Sequence, residues 1–259
     1  MKPGSIDGDR LRRAAVGAAG MVARRRAAPP VRFLVLTPGR SGSTLLMSLL
    51  GSIPGFRCDE EVLRLATGDP TAALRRRATR AALAGARVWG TSVHPQHLLP
   101  LLAGDPVEWV GALHDAGHDL VTLHRRNPLQ HVLSAAIAWQ REEWHYVEGA
   151  APSTDPIRLD PLDVLREAGL AEQSGQEIRR MVADRSHMAL FYEDDLRDAD
   201  VQQLTVDRVC RFLGVPSAPV STPFLRRPVG LLEQISNADE IVAALRETRF
   251  ASFLDDLDR

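Results

Sequence analysis

The chain has 259 residues, a formal net charge of −1 and a hydrophobic content of 44%. This length suits one large α/β domain, with two small domains as the alternative. The nearly neutral charge provides no overall field that would attract nucleic acid. No run of 18 apolar residues occurs, so no membrane span is expected. Lys2 is the only lysine among 32 basic residues. Almost every cation is therefore a planar, always-charged guanidinium, which suits phosphate and sulfate binding.

Two further features bear on the cellular compartment and on the N-terminal segment. Cys58 and Cys210 lie far apart and show neither metal-binding spacing nor a disulfide framework, which predicts a reducing, cytoplasmic environment. Residues 1–30 are rich in arginine, alanine and glycine, and arginines follow their weakly apolar centre, unlike a secretion signal. We predict a mobile or loosely docked basic segment over 1–30 and a single domain over 31–259.

Strand-like runs alternate with helix-like stretches along the chain. The runs cover residues 32–37, 87–91, 119–124 and 187–192. This alternation predicts an α/β fold of three layers, with a central, mostly parallel sheet and helices on both faces. Thr71 to Arg87 is typical of a surface helix, whereas Glu148 to Leu162 and residues 216–228 are typical of irregular loops.

A turn of small residues follows the first strand and precedes a helix-like stretch. The turn consists of Gly39, Arg40, Ser41, Gly42, Ser43 and Thr44. Glycines let the backbone approach a ligand closely, and successive N–H groups at a helix start bind a phosphate. We therefore predict a phosphate loop, with a plain strand-to-helix turn as the alternative. The loop of nucleoside triphosphatases is excluded, because that pattern ends in Gly-Lys-Ser/Thr.

Two later segments repeat the arrangement of a strand followed by a turn and a helix. The first begins at His118 and turns at Arg126-Asn127, and Pro128 opens its helix, where a missing N–H costs nothing. Ser134 follows eight residues after Arg126. The second ends in Phe-Tyr192-Glu-Asp and continues into a helix that stops near Gly214.

In this order and at these spacings, the three segments resemble the sulfotransferases that use 3′-phosphoadenosine-5′-phosphosulfate (PAPS). The resemblance implies a P-loop-like fold and one sulfotransferase domain. It also implies that the first loop holds the 5′-phosphosulfate, that Arg126 and Ser134 hold the 3′-phosphate, and that Tyr192 contacts the adenine. Arg125 is expected to be a neighbour without ligand contact, and Glu193 to fix backbone or an arginine.

The catalytic residues implied by the resemblance are Arg40 and a base. Sulfuryl transfer resembles phosphoryl transfer, an in-line displacement in which charge develops on the leaving oxygen, and Arg40 would stabilise that charge. The stretch Phe56-Arg-Cys-Asp-Glu-Glu61 is similar to acidic segments of protein-tyrosine and bacterial trehalose sulfotransferases, where a Glu is the base. Glu61 is our first candidate. A solvated acidic turn is the alternative.

His94 is the rival base. The stretch Trp89-Gly-Thr-Ser92-Val-His94 follows a strand in the region where cytosolic sulfotransferases have Lys-Thr-His, with His as the base. The same alignment puts Ser92 in place of the family's lysine. This departure leaves open what stabilises the transition state, and whether the chain is fully active.

The tail beyond residue 224 is similar to the tails of trehalose and nodulation-factor sulfotransferases, where an arginine-containing loop closes over the nucleotide. Arg227 is the best match, with Pro228 in place of the usual Gln. The resemblance thus implies sulfuryl transfer from PAPS, without a metal, to a hydroxyl of a small molecule, carbohydrate or lipid. The sequence leaves a homodimer open. Two alternatives are a nucleotide-dependent kinase, which the missing Gly-Lys-Ser/Thr disfavours, and a non-catalytic binder of adenosine bisphosphate, which Ser92 keeps open.

Overall fold

The computed structural model describes residues 31–144, 146, 153, 155–225 and 230–257. The predicted basic segment over residues 1–30 and the predicted nucleotide contact Arg227 lie outside the described residues. Within those ranges, every helix is too short or too polar to cross a membrane.

Five parallel strands form a single sheet. They are β1 (Val31–Leu36), β2 (Phe56–Asp59), β3 (Val88–Val93), β4 (His118–His124) and β5 (His187–Phe191). Their order across the sheet is β2-β3-β1-β4-β5, and each neighbouring pair is parallel. The prediction of a central, mostly parallel sheet is confirmed. Strand β1 occupies the middle position, with β3 on one side and β4 on the other.

The helices connect the strands and continue after the last one. They are α1 (Ser43–Gly51), α2 (Pro70–Leu83), α3 (Pro95–Leu98), α4 (Pro106–Asp115), α5 (Pro128–Arg141), α6 (Pro161–Val182), α7 (Tyr192–Asp195), α8 (Ala199–Phe212) and α9 (Ala238–Arg246). Short 3₁₀ turns cover Leu99–Leu101, Leu232–Gln234 and Ala251–Asp256. Helices α2 to α6 all begin with proline, the residue that suits a first helical position.

Capping residues define where several of these helices begin. The side chains of Asp69, Asp105 and Asp160 each accept a hydrogen bond from a backbone N–H of the first turn. Asn127 does the same for α5, at 2.9 Å from the N of Leu129. An Asx residue followed by proline therefore fixes where four helices begin. Among these starts is that of α5, predicted at Pro128.

Alternating side chains of β1 divide the core into two layers. Phe33 and Val35 pack on the face covered by α1 and α8. Leu34 and Leu36 pack on the opposite face, covered by α2, α4 and the end of α6. The predicted three-layer α/β arrangement is thereby confirmed. A third apolar cluster joins α5, the start of α6, α9 and the final 3₁₀ turn.

Some predicted boundaries differ from the structure. Strand β2 was not predicted, because its four residues were interpreted only as part of an acidic motif. Helix α2 ends at Leu83 rather than Arg87, since Gly85 adopts a left-handed φ of 85°. Helix α6 begins at Pro161, inside the predicted loop. The described part of the irregular segment 216–228 contains no helix and no regular strand, as predicted.

Two histidines sit at the ends of β4 and are buried in the core, His118 7% and His124 6% exposed. Burial is the main reason that the pKa of each is lowered from 6.5 to about 4. The nearby guanidiniums of Arg32 and Arg179 lower the pKa of His118 and His124 further. Both imidazoles are therefore neutral in the folded protein at pH 7.

The protein should lose stability as the pH falls from about 6.5 to about 4. In that range the unfolded chain binds more protons than the folded chain, because its histidines have the higher pKa, so the free energy of unfolding rises with pH. At pH 5 each buried histidine should cost about 1–2 kcal/mol. Urea unfolding at pH 7 and pH 5 measures the difference, and His124→Gln should reduce it. A ring of His118 or His124 that titrates near pH 6.5 by NMR would contradict this interpretation.

Candidate active site

A large cavity opens where β1, β3 and β4 end, and its volume is about 2010 Å³. Most of the site residues predicted from the sequence line it. These are Gly39, Arg40, Gly42, Ser43, Thr44, Glu61, His94, Ser134 and Tyr192. Ser41 instead points inward, where its hydroxyl donates to the carbonyl of Pro38 at 2.9 Å and braces the loop. Arg126 does not line the cavity.

The turn before α1 has the geometry of an anion site. Arg40 and Gly42 adopt left-handed φ angles of 60° and 90°, which turn the chain sharply into the helix. Gly42 is the residue before the first helical position, and it provides no side-chain cap. The first turn of α1 also contains no acidic residue. The N–H groups and the positive end of the helix dipole are thus available to a phosphate or sulfate.

Tyr192 packs directly against this turn and joins the first motif to the third. A Cβ atom added at Gly42 would lie only 2.5 Å from Cδ2 of Tyr192, so the ring is in contact with the backbone there. The guanidinium of Arg125 lies over the same ring at 4.3 Å from its centroid. Its Nε also donates to the carbonyl of Arg40 at 3.1 Å. Arg125 therefore links the ends of β1, β4 and β5.

Arg40 reaches toward the rim of the cavity. Its Nη1 donates to the carbonyl of Trp144 at 2.8 Å, and its guanidinium carbon lies 5.8 Å from the centroid of the Trp144 ring. The Trp144 ring meets Trp139 edge to face at 4.7 Å between centroids. The arginine of the turn thus contacts an aromatic pair that borders the cavity.

Arg126 lies outside the set of residues that line the cavity. Its guanidinium forms an ion pair with Asp194 and lies over the ring of Phe191 at 4.3 Å, and this ion pair lowers the pKa of Asp194. The backbone N–H of Arg126 donates to Glu193 at 3.1 Å, so Glu193 fixes backbone as expected. The structure brings Ser134 into the cavity wall and leaves Arg126 at the edge.

Arg125 is the cation that sequence reasoning missed. The sequence predicted Arg126 rather than Arg125 as the binding residue, whereas in the structure Arg125 lines the cavity and Arg126 does not. Its signal in the sequence is limited to the pair Arg125-Arg126 after a strand. Which member of such a pair points inward depends on Tyr192 and Asp194, more than 60 residues later.

The acidic segment after β2 is held by the end of β3. The backbone N–H of Glu61 donates to the hydroxyl of Ser92 at 3.1 Å, and that of Val62 donates to Thr91 at 3.5 Å. Glu61 adopts a left-handed φ of 41°, a conformation that costs energy for a residue with a side chain. Ser92 therefore helps to hold Glu61 in a strained conformation.

The two rival bases are neighbours. His94 is 3% exposed, and its Nε2 lies 4.0 Å from a carboxylate oxygen of Glu61. His97, from α3, places Nδ1 at 3.8 Å from the other oxygen. Burial lowers the pKa of His94 to about 4, although Glu61 opposes this shift, and burial also lowers the pKa of His97. Sequence reasoning missed His97, although His94-x-x-His97 has the spacing of one helical turn.

The contact between Gly42 and Tyr192 can be tested with a matched pair of substitutions. Gly42→Ala and Gly68→Ala both force alanine into a left-handed φ, which costs about 1 kcal/mol. At Gly68 nothing lies within 4 Å of the added Cβ. Gly42→Ala should cost about 1–3 kcal/mol more, because Tyr192 must move. Urea unfolding measures both changes, and equal losses would show that Tyr192 does not pack on the turn.

Comparisons with known proteins are sparse. No protein-family model and no curated protein matches the chain. Among solved structures, the chain is similar to a sulfotransferase from Alicyclobacillus acidocaldarius at 17% sequence identity. The match covers 88% of this chain and 99% of that one, with a TM-score of 0.48.

Proposed function

We propose that the protein is a PAPS-dependent sulfotransferase that transfers a sulfuryl group to a hydroxyl of a small molecule, carbohydrate or lipid. The observation that carries this proposal is the composition of one cavity. It combines an uncapped helix start for an anion, the guanidiniums of Arg40 and Arg125 near that start, and a carboxylate–imidazole pair. These are the groups that an anionic donor and a hydroxyl acceptor require.

The turn fits a phosphosulfate group. Tyr192 fills the space that a side chain at position 42 would need, and the helix start after Gly42 has no side-chain cap and no acidic residue of its own. Glu60 is the nearby carboxylate, and it accepts a hydrogen bond from the hydroxyl of Thr44 at 3.2 Å. The backbone from Gly39 to Thr44 would hold the 5′-phosphosulfate, Tyr192 would contact the adenine and Ser134 would bind the 3′-phosphate. Arg126 can join Ser134 only by exchanging Asp194 for the phosphate. Arg125 already lies in the cavity wall.

PAPS, when bound, would supply an activated sulfuryl group and a phosphate leaving group. The helix start and the guanidinium of Arg40 would stabilise the negative charge that develops on the leaving oxygen. Arg40 would have to leave the carbonyl of Trp144 for this role. Its five N–H donors and permanent charge suit such an exchange.

Glu61 would accept the proton of the acceptor hydroxyl. It lines the cavity, and Ser92 holds its backbone in place. The side chain of His94 is only 3% exposed, whereas that of Glu61 is 30% exposed. Glu61 therefore remains the first candidate, with His94 beside its carboxylate.

The remaining walls of the cavity support the acceptor class. They combine apolar side chains, including those of Trp139, Trp144 and Leu170, with ion pairs such as Arg166–Glu167. Apolar surfaces beside polar side chains that donate and accept hydrogen bonds suit a molecule that has both hydroxyls and apolar parts.

Three variants test the donor site. Arg126→Ala and Ser134→Ala should weaken binding of adenosine 3′,5′-bisphosphate but affect adenosine 5′-phosphosulfate, which lacks the 3′-phosphate, far less. Loss of a charged hydrogen bond costs about 1.5–3 kcal/mol, so Arg126→Ala should cost at least about tenfold. Arg125→Ala should weaken both ligands. Calorimetric titration measures these affinities.

Arg158→Ala is the control for the donor variants, because it removes an exposed arginine paired with Glu240 away from the turn. It should leave both affinities unchanged. Equal losses for both ligands in Arg126→Ala would refute the assignment of Arg126 to a 3′-phosphate site.

Glu61→Gln tests the base. It keeps the shape of the side chain but removes the proton acceptor, so turnover should fall by about 100- to 10,000-fold while donor affinity stays nearly unchanged. Single-turnover transfer of radiolabelled sulfate measures this once an acceptor is found in a metabolite extract. If His94→Asn abolishes transfer and Glu61→Gln does not, His94 is the base.

The same preparations separate the alternatives. A protein that binds ATP with Mg²⁺ but neither PAPS nor adenosine bisphosphate would be a kinase rather than a sulfotransferase. A protein that binds adenosine bisphosphate but labels nothing in an extract would be a non-catalytic binder.

A further inference from the structure

Three side chains with metal-ligating atoms meet at one wall of the cavity. Glu61 follows β2, His94 follows β3, and His97 lies one helical turn after His94 in α3. A carboxylate oxygen of Glu61 and one ring nitrogen from each histidine all lie within 4.8 Å of one another. The sequence separates Glu61 from the histidines by more than 30 residues, so only the fold brings them together.

The histidines lack the partners that buried polar groups require. His94 is 3% exposed, and neither of its ring nitrogens has a hydrogen-bond partner among the described residues. Nδ1 of His97 is also buried, and it has no hydrogen-bond partner among the described residues. Buried nitrogen atoms are almost always hydrogen-bonded or bound to an ion. The unpartnered Nε2 of His94 is the atom that faces the carboxylate of Glu61, at 4.0 Å.

The chemistry of these ligands selects one class of ion. Two imidazoles and one carboxylate form the protein ligand set of many open zinc sites, whereas Mg²⁺ and Ca²⁺ prefer oxygen ligands. Ligand atoms about 2.1 Å from a tetrahedral ion lie about 3.4 Å apart. The distances of 4.0 and 3.8 Å from Glu61 to His94 and His97 therefore need to shorten by less than 1 Å. The two ring nitrogens, which lie within 4.8 Å of each other, need to approach by at most about 1.4 Å.

The side chains can move by the distance that ion binding requires. Glu61 is 30% exposed, so its carboxylate can rotate. It also pairs with Arg64, whose Nε lies 3.6 Å away and whose side chain is 61% exposed. An exposed ion pair of this kind contributes little stability and yields easily to an ion.

We propose that Glu61, His94 and His97 form a binding site for one Zn²⁺ ion or a chemically similar divalent transition metal. The remaining coordination position faces the cavity, because all three residues line it. The site does not depend on the proposed sulfuryl transfer. It does constrain that reaction, since Glu61 and His94 cannot hold an ion and accept a proton with the same lone pairs.

Direct binding tests the site without any assay of activity. The full chain, free of affinity tags and stripped with a chelator, is titrated with Zn²⁺ in a calorimeter. We expect about one ion per chain, with a dissociation constant in the micromolar range or tighter. X-ray absorption of the zinc complex should show two imidazole ligands and no sulfur. No binding, or a zinc–sulfur distance that indicates a cysteine ligand, would overturn the proposal.

Matched substitutions locate the ion. His97→Ala and Glu61→Gln should each weaken Zn²⁺ binding by about 100-fold or more. His114→Ala is the control, because His114 also lies beside a carboxylate, 3.6 Å from Asp115, but outside the cavity. It should bind Zn²⁺ like the unaltered chain. Unchanged affinity in His97→Ala, or loss of binding in His114→Ala, would place the ion elsewhere and refute the site.

Discussion

The parallel pairing of β1 with β3 and β4 is the constraint on which the rest of the structure depends. Strand β1 is buried on both faces, and its side chains alternate between two apolar layers. Parallel strands end at the same edge of a sheet, so the segments that follow them must meet there. Gly42 and Tyr192 are separated by 150 residues in the sequence, yet they are in van der Waals contact. The cavity exists because of this convergence.

Local sequence patterns predicted the strands, the turn and several helix starts, because these depend on periodicity, glycine and proline. They missed β2, whose four residues pair with β3 on one side only. The directions in which side chains point could not be predicted from the sequence either. Arg126 turns toward Asp194, a partner 68 residues away, and leaves the cavity wall to Arg125. The orientation of such a side chain depends on tertiary contacts, which cannot be derived from the spacing or the composition of the sequence.

The position of Ser92 shows a similar limit. The sequence resemblance predicted only that Ser92 stands where a lysine would be expected. In the structure, its hydroxyl accepts the backbone N–H of Glu61, 31 residues earlier. That hydrogen bond helps to maintain a left-handed residue at the wall of the cavity, where backbone strain is most often found. The hydroxyl of Ser92 thus anchors the backbone of the residue that carries the carboxylate.

The four tryptophans of the chain lie in contrasting environments. Trp89 is fully buried in the core, and Trp109 is partly buried at its edge. Trp139 and Trp144 border the cavity, 69% and 37% exposed, with Trp144 against the guanidinium of Arg40. Indole fluorescence depends on exposure and on nearby charge. The intrinsic emission of the protein therefore has one component that reports on the core and another that reports on occupancy of the cavity, so a ligand can be followed without a label.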